Sequence, residues 1–310
     1  MPDVQYKYDH ACASATTSWL AAALAVSACA VAALMHRTGL GVDLLQPGTW
    51  IVLLLGAAFA GLRFHARLPD SLHKHRLRDF SESALAMIVI IVLGSLANYG
   101  EAAHTTGFYD AMLAHGDRLL HFNWLAWYSV VAAHPVLQHA GALAYATIYL
   151  TPLVILGWFA WHGERGRSHL FLMTFWAAAT ITLLIFPFVP ARGALEFLWH
   201  GPIHYMPTNG LYQGEIIPAL RSHALSEIDL GSVKGLVCAP SFHTASAVIF
   251  IATAWPIAVL RQWLVPVNAA MLLATPVEGT HYLTDMLLGA LVGVVSLLLV
   301  RWVSEVGKAG

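Results

Sequence analysis

Long apolar runs alternate with short polar ones along most of this chain. Eight apolar segments can be drawn between charges, prolines and glycines, at roughly 17–36, 48–64, 82–100, 137–161, 169–190, 240–262, 264–278 and 281–303. The second and seventh are short for a bilayer. Residues 108–135 break the pattern: they are amphipathic, rich in Trp and Tyr, and end at Pro135. Such a stretch suits either a helix lying at a membrane interface or an extra helix packed over a bundle. Residues 191–239 are polar and carry the breakers Gly193, Gly201, Pro202, Pro207, Asn209, Gly210, Gly214 and Pro218. A loop of that length is usually functional or mobile. The pattern predicts an all-α, polytopic membrane helix bundle.

Composition supports this. The 310 residues are 58% hydrophobic and 11% charged, against about 25% charged in a soluble domain. A net charge of −1 leaves no footprint for nucleic acid. Cys12, Cys29 and Cys238 are odd in number and far apart, which suggests neither a disulfide framework nor a zinc cluster. Residues 1–16 hold Asp3, Asp9 and a single Lys7, a poor match to a basic leader, so the first apolar run is expected to be retained.

Charge also orients the bundle. With the N-terminus in the cytoplasm, Lys7, Arg63, Arg67, Lys74, Arg76, Arg78, Arg165, Arg167, Arg261, Arg301 and Lys308 fall inside, eleven of the sixteen basic residues. The outer side receives Arg37, Arg118, Arg192, Arg221 and Lys234. This bias favours eight spans with both termini cytoplasmic. It places Arg192, His243 and His281 on one outer face. It also places Cys238 there, within reach of an impermeant thiol reagent unless the loop packs over it.

Those residues carry the candidate chemistry. Pro240-Ser241-Phe242-His243 opens the sixth segment, where free helix N–H groups can bind an oxyanion. His281 and Asp285 are four apart and share one helix face, so the carboxylate can fix the imidazole tautomer. Arg192 follows Pro187 and Pro190 at a membrane exit, and its fork matches phosphate oxygens. Each has a plainer reading, as an interfacial arginine, a helix cap and a structural pair. A metal site is disfavoured, because the chain has no H-E-x-x-H and no dense histidine boxes.

Taken together, the arginine exit, the Pro-Ser-Phe-His and the His-x3-Asp resemble the type 2 phosphatidic acid phosphatase and vanadium haloperoxidase superfamily. Its motifs are K-x6-R-P, P-S-G-H and S-R-x5-H-x3-D. The resemblance covers about residues 82–303, a six-helix core carrying loop 191–239. Two transmembrane helices and a basic loop precede it in residues 1–81, and a tail, 304–310, follows. The departures are Ile185 at the lysine of the first motif, Gly193 after Arg192, Phe242 in the second, and Ala274 and Thr275 at the serine and arginine of the third. Gly279-Thr280-His281-Tyr282-Leu283-Thr284-Asp285 is similar to the G-x-H-Y-x-x-D form of the inositol phosphorylceramide synthase-like branch.

The resemblance implies a metal-independent lipid phosphatase or phosphotransferase with no cofactor and a lipid phosphate or diphosphate as substrate. His281 is the implied nucleophile, Asp285 its orienting carboxylate and His243 the proton donor and acceptor. Arg192 and the amides near Ser241 and Phe242 are the implied phosphate ligands. Arg221 or Lys234 is expected to fold over the site in place of a missing cation, and Tyr282 is a candidate substrate contact. Water and an alcohol both remain open as acceptors. A transporter would instead place charged or broken helices at the midplane.

Overall fold

A computed structural model describes the backbone of residues 2–65 and 72–309 and the side chains of residues 18–63 and 74–306. The leader expectation for residues 1–16 and the side chains of Lys7, Cys12, Arg67 and Lys308 lie outside the described residues. The eight apolar segments correspond to eight α-helices, with two boundaries corrected: the fifth segment leaves its α-helix at Ile185, and the sixth, 240–262, breaks after Ala254, its last residues belonging to the next helix, which begins at Ala258. In chain order, α1 is Pro2–Thr38, α2 Pro47–His65 and α3 Leu72–His104. Two short helices follow, α4 (Asp110–Leu119) and α5 (Trp124–Ala133), then α6 (Pro135–His162) and α7 (Arg165–Ile185). The outer loop contains α8 (Ala194–Leu198) and α9 (Gln213–Arg221). The chain closes with α10 (Phe242–Ala254), α11 (Ala258–Glu278) and α12 (Leu283–Ala309).

Six helices are long and apolar enough to cross a membrane, within α1, α3, α6, α7, α11 and α12. The protein is therefore a multi-pass integral membrane protein built as an all-α bundle. The α2 and α10 helices are shorter. At about 1.5 Å per residue, the 13 residues of α10 rise only about 20 Å. The helix ends just before Pro256, which has no N–H to continue it. A short helix is tolerated here because α10 lies inside the bundle. It packs on α6, α7, α11 and α12, and Ala245, Ala247, Ile249 and Phe250 are fully buried.

Glycines on α12 decide how closely the two motif helices approach. A Cβ at Gly289 would stand 2.2 Å from the Ser241 carbonyl oxygen, and one at Gly293 would stand 2.9 Å from that of Ala245. Four residues apart, these glycines open a flat strip on which the start of α10 lies directly. The side-by-side packing that His243 and His281 need is thus written in α12.

The 108–135 stretch forms two helices packed over the bundle. The buried face of α4 is Asp110, Leu113, Ala114 and Asp117. Trp124 and Tyr128 are buried on α5, and the Trp124 indole donates to the Pro276 carbonyl at 2.9 Å. Leu119, Leu120, Trp127 and Val130 remain exposed at the rim. Among the described residues the only strands are Gly41–Val42 (β1) and Glu227–Ile228 (β2), paired in parallel. They staple the α1–α2 turn to the outer loop, and Thr49 donates to Asp229 beside them at 3.2 Å.

Candidate active site

The residues singled out in the sequence converge at one end of the bundle. His281 Nδ1 lies 2.8 Å from Asp285 Oδ1, and both side chains are buried. The other carboxylate oxygen, Oδ2, accepts the Tyr282 N–H at 2.8 Å. The pair forms as expected, but not on a shared helix face: His281 lies in the non-helical turn before α12, and Asp285, in the first turn of that helix, reaches back to it. The contact commits Nδ1 to the carboxylate and leaves Nε2, on the other side of the ring, without a hydrogen-bond partner among the described residues.

The His243 ring stands 6.3 Å from the His281 ring, centroid to centroid. It stacks on Tyr145 of α6 at 3.9 Å and 12°. The Tyr145 hydroxyl is 3.2 Å from His243 Nδ1. With the rings nearly parallel, that hydroxyl reaches the nitrogen from above the ring plane, so stacking, more than a directed hydrogen bond, sets the imidazole angle. His243 Nε2 is buried and has no partner.

Arg192 comes from the exit after α7, through the 3-10 turn Phe186–Phe188. Its loop is held from two sides. Asp110 of α4 accepts the Arg192 N–H at 3.1 Å and the Gly193 N–H at 3.0 Å. The Ala194 N–H donates to the Thr280 carbonyl at 2.7 Å, which ties the arginine loop to the residue before His281. The guanidinium lies over the Phe108 ring at 5.0 Å. It donates to Glu196 at 3.4 Å, and its Nε is buried without a partner. Burial holds the Glu196 carboxyl above the usual range, with Arg192 partly opposing.

Several implied ligands sit elsewhere than expected. The Ser241 N–H donates to the Asp285 carbonyl at 3.1 Å, so that amide is spent on α12 and not open to phosphate. The Ser241 side chain caps α10 by accepting from the Thr244 N–H at 3.3 Å. The Phe242 N–H lies in the first helical turn, where no intrahelical partner exists. Tyr282 is fully buried, and its hydroxyl donates to Asp110 at 3.0 Å. Arg221 donates to Thr105 Oγ1 at 2.8 Å and to the Gly107 carbonyl at 2.7 Å, and lies 4.6 Å over the same Phe108 ring as Arg192. Lys234 stands 5.5 Å over Tyr212. Thr275 gives its hydroxyl to the Met271 carbonyl of its own helix at 2.7 Å. Cys238 is buried against Asp285 at 3.5 Å, so the loop does pack over it and the thiol is not reachable.

The sequence reading missed Asp110, Asp117 and Tyr145. Asp117 accepts the Leu283 N–H at 3.1 Å and the Thr284 N–H at 2.8 Å, capping α12. Asp110, Leu113, Ala114 and Asp117 are spaced i, i+3, i+4, i+7, a core-facing helical stripe. Two of its four members are carboxylates, so a search for apolar periodicity passes over it. Two acids facing the core of a membrane protein were the available signal.

Among the described residues one cluster has metal-ligand geometry: atoms of Cys238, His281 and Asp285 lie within 4.8 Å of one another. Its chemistry favours hydrogen bonding. Burial, and then Asp285, push the Cys238 thiol well above its usual range, and it donates to Asp285 Oδ2 at 3.5 Å. His281 Nδ1 is already committed to the carboxylate.

The family model of the PAP2 superfamily matches residues 111–299, more than half of the chain. The chain belongs to the PAP2 superfamily. Comparison with curated proteins and with solved structures found no match. Membership gives a phosphatase-type function, in a superfamily of phosphoric ester hydrolases and phosphotransferases. The match runs from α4 to α12; it includes Asp117, begins one residue after Asp110, and leaves α1–α3 before it.

Proposed function

We propose that the protein transfers a phosphoryl group from a lipid phosphate through a phosphohistidine on His281. The observation that carries this is the open Nε2 of His281, backed by Asp285 at 2.8 Å and faced by a second histidine whose Nε2 is buried and unpartnered. His281 Nε2 attacks phosphorus as the bond to the leaving oxygen breaks. His243, protonated on Nε2, gives its proton to that oxygen. In the second step His243 Nε2 takes a proton from the acceptor hydroxyl, whose oxygen attacks phosphorus, and the P–N bond breaks. Asp285 holds the Nδ1–H of His281 and stabilises the charge that develops on the ring. Arg192 and the Phe242 N–H bind the non-bridging oxygens. Arg221 acts at one remove, by fixing Phe108 under Arg192.

A second reading has an alcohol as acceptor, as in the inositol phosphorylceramide synthase-like branch. What favours it is low positive charge: Ile185 and Thr275 replace two family cations, and Glu196 partly neutralises Arg192. A phosphodiester monoanion needs less compensation than a phosphomonoester dianion. The basic asymmetry of the sequence favours this chemistry on the outer face, with both termini inside. In intact cells, a cysteine at Ser222, which is exposed, should accept an impermeant thiol reagent, and one at His162 should not.

The deciding experiment is product analysis on purified protein with a panel of lipid phosphates and phosphodiesters, with and without alcohols. Turnover that survives EDTA and is blocked by vanadate is expected. Loss in chelator with recovery on adding a divalent ion would overturn the histidine mechanism.

A further inference from the structure

Thr280 immediately precedes the nucleophile and has an improbable backbone. Its φ is +53°, in the left-handed region that a β-branched residue rarely enters. Such a conformation costs on the order of 1–3 kcal/mol. A glycine would adopt it freely, and a glycine stands next door, but Gly279 has an ordinary φ of −94°. That glycine answers a different need, since a Cβ there would meet His281 Cδ2 at 2.4 Å. The sequence thus keeps a threonine where the backbone asks for glycine.

The side chain carries a second cost. Thr280 is 1% exposed, and its Oγ1 is buried with no hydrogen-bond partner. Leaving such a group unsatisfied costs about 1–3 kcal/mol. Its hydroxyl also crowds the arginine loop: a Cβ at Gly193 would lie 2.5 Å from Thr280 Oγ1. The hydroxyl is therefore wedged between the residue after Arg192 and the residue before His281. The buried, unpartnered Nε of Arg192 belongs to the same loop.

We infer that Thr280 is a substrate-binding residue, whose hydroxyl donates a hydrogen bond to a non-bridging phosphoryl oxygen. This rests on the phosphoryl-transfer reading above. Two unexplained costs then have one explanation: the strained backbone delivers the hydroxyl to a ligand oxygen that completes it. In this chain a neutral donor from the turn before His281 does part of the work that the missing third-motif cation, at Thr275, does not do. Thr275 cannot do it, because its own hydroxyl is tied to Met271 within α11.

The test uses full-length protein in detergent and vanadate as the probe, read by inhibition of turnover and by the vanadate-induced rise in unfolding temperature. Thr280→Val keeps the shape and removes the hydroxyl, and should weaken vanadate binding about 10- to 100-fold. Thr280→Ser keeps the hydroxyl and should bind vanadate close to wild type. Thr280→Gly relieves the backbone, so it should unfold at the same or higher temperature while binding vanadate as weakly as the valine variant. A residue that only packs predicts a different order, with valine equal to wild type. Vanadate affinity unchanged in Thr280→Val, or in Thr280→Gly should the valine variant not fold, overturns the inference. A wild-type enzyme insensitive to vanadate overturns the phosphoryl-transfer reading and this one with it. A sensitive wild type with an equally sensitive valine variant overturns this one alone.

Discussion

Both ends of the bundle bury a histidine beside a carboxylate, and the two pairs are built for opposite purposes. At the site end, Asp285 meets one nitrogen of His281 at 2.8 Å, and its remaining contacts are the Tyr282 N–H and the Cys238 thiol. At the other end, Glu82 of α3 gathers Arg63 at 3.1 Å, Arg165 at 2.5 Å and His169 at 3.8 Å. Glu82 lies 22 residues from His104, the last residue of α3, about 33 Å along the helix. Its partners come from α2 and α7, so it clamps three helices. A carboxylate met by three basic side chains is a tie between elements. A carboxylate that meets one imidazole nitrogen and leaves the other unpaired is an orienting group. What separates them is which valences remain open, not residue type or burial.

The sharpest break in this comparison is at the histidines. His281→Ala should lower turnover by about 10⁶-fold and give no acid-labile, base-stable phosphoprotein after a quench. His169→Ala should leave turnover per folded molecule near wild type. His243→Ala should still label on His281 with an activated aryl phosphate, whose leaving group needs little protonation, and the label should accumulate. Label in His281→Ala would show that the nucleophile lies elsewhere.

Asp110→Ala comes next. It leaves the Arg192 and Gly193 amides and the Tyr282 hydroxyl without their acceptor. A displaced arginine loop should cost about 10²-fold in turnover. Vanadate affinity should fall in parallel, which a purely destabilising change would not produce in the folded fraction. Equal vanadate affinity in the variant and wild type would reduce Asp110 to a scaffold residue.

Glu82→Gln should act on stability instead. Its arginine partners are about a third exposed, so screening limits the loss to about 1–2 kcal/mol. A lower unfolding midpoint in detergent with unchanged specific activity is the expected result. Lost activity at an unchanged midpoint would mean that the clamp speaks to the site.

The smallest effects are expected in the outer loop. Arg221→Ala removes the bonds to Thr105 and Gly107 and one of two cations over Phe108, and about a tenfold loss is expected. Lys234→Ala, whose ammonium rests on Tyr212, should lose less. The reverse order, measured by steady-state kinetics, would make Lys234 the cation that reaches the phosphate.

The sequence by itself determined the class of the protein, its eight apolar helices and the His281–Asp285 pair. These are local properties. A bilayer requires long apolar helices whose backbone bonds close within the segment, and Asp285 is close enough in sequence to reach back from the first turn of α12 to His281 just before it, although the two share no helix face. The pairing of His243 with His281 was legible only as a condition, that two helices pack side by side, and Gly289 and Gly293 meet it. The tertiary structure alone decided which groups were already spent. The Ser241 amide goes to Asp285, the Tyr282 hydroxyl to Asp110, and Cys238 lies buried under the loop. It also decided where Asp110 acts, 82 residues before the arginine it holds. A hydrogen bond between distant segments leaves no periodicity in the chain, because neither segment's own pattern has to change to make it.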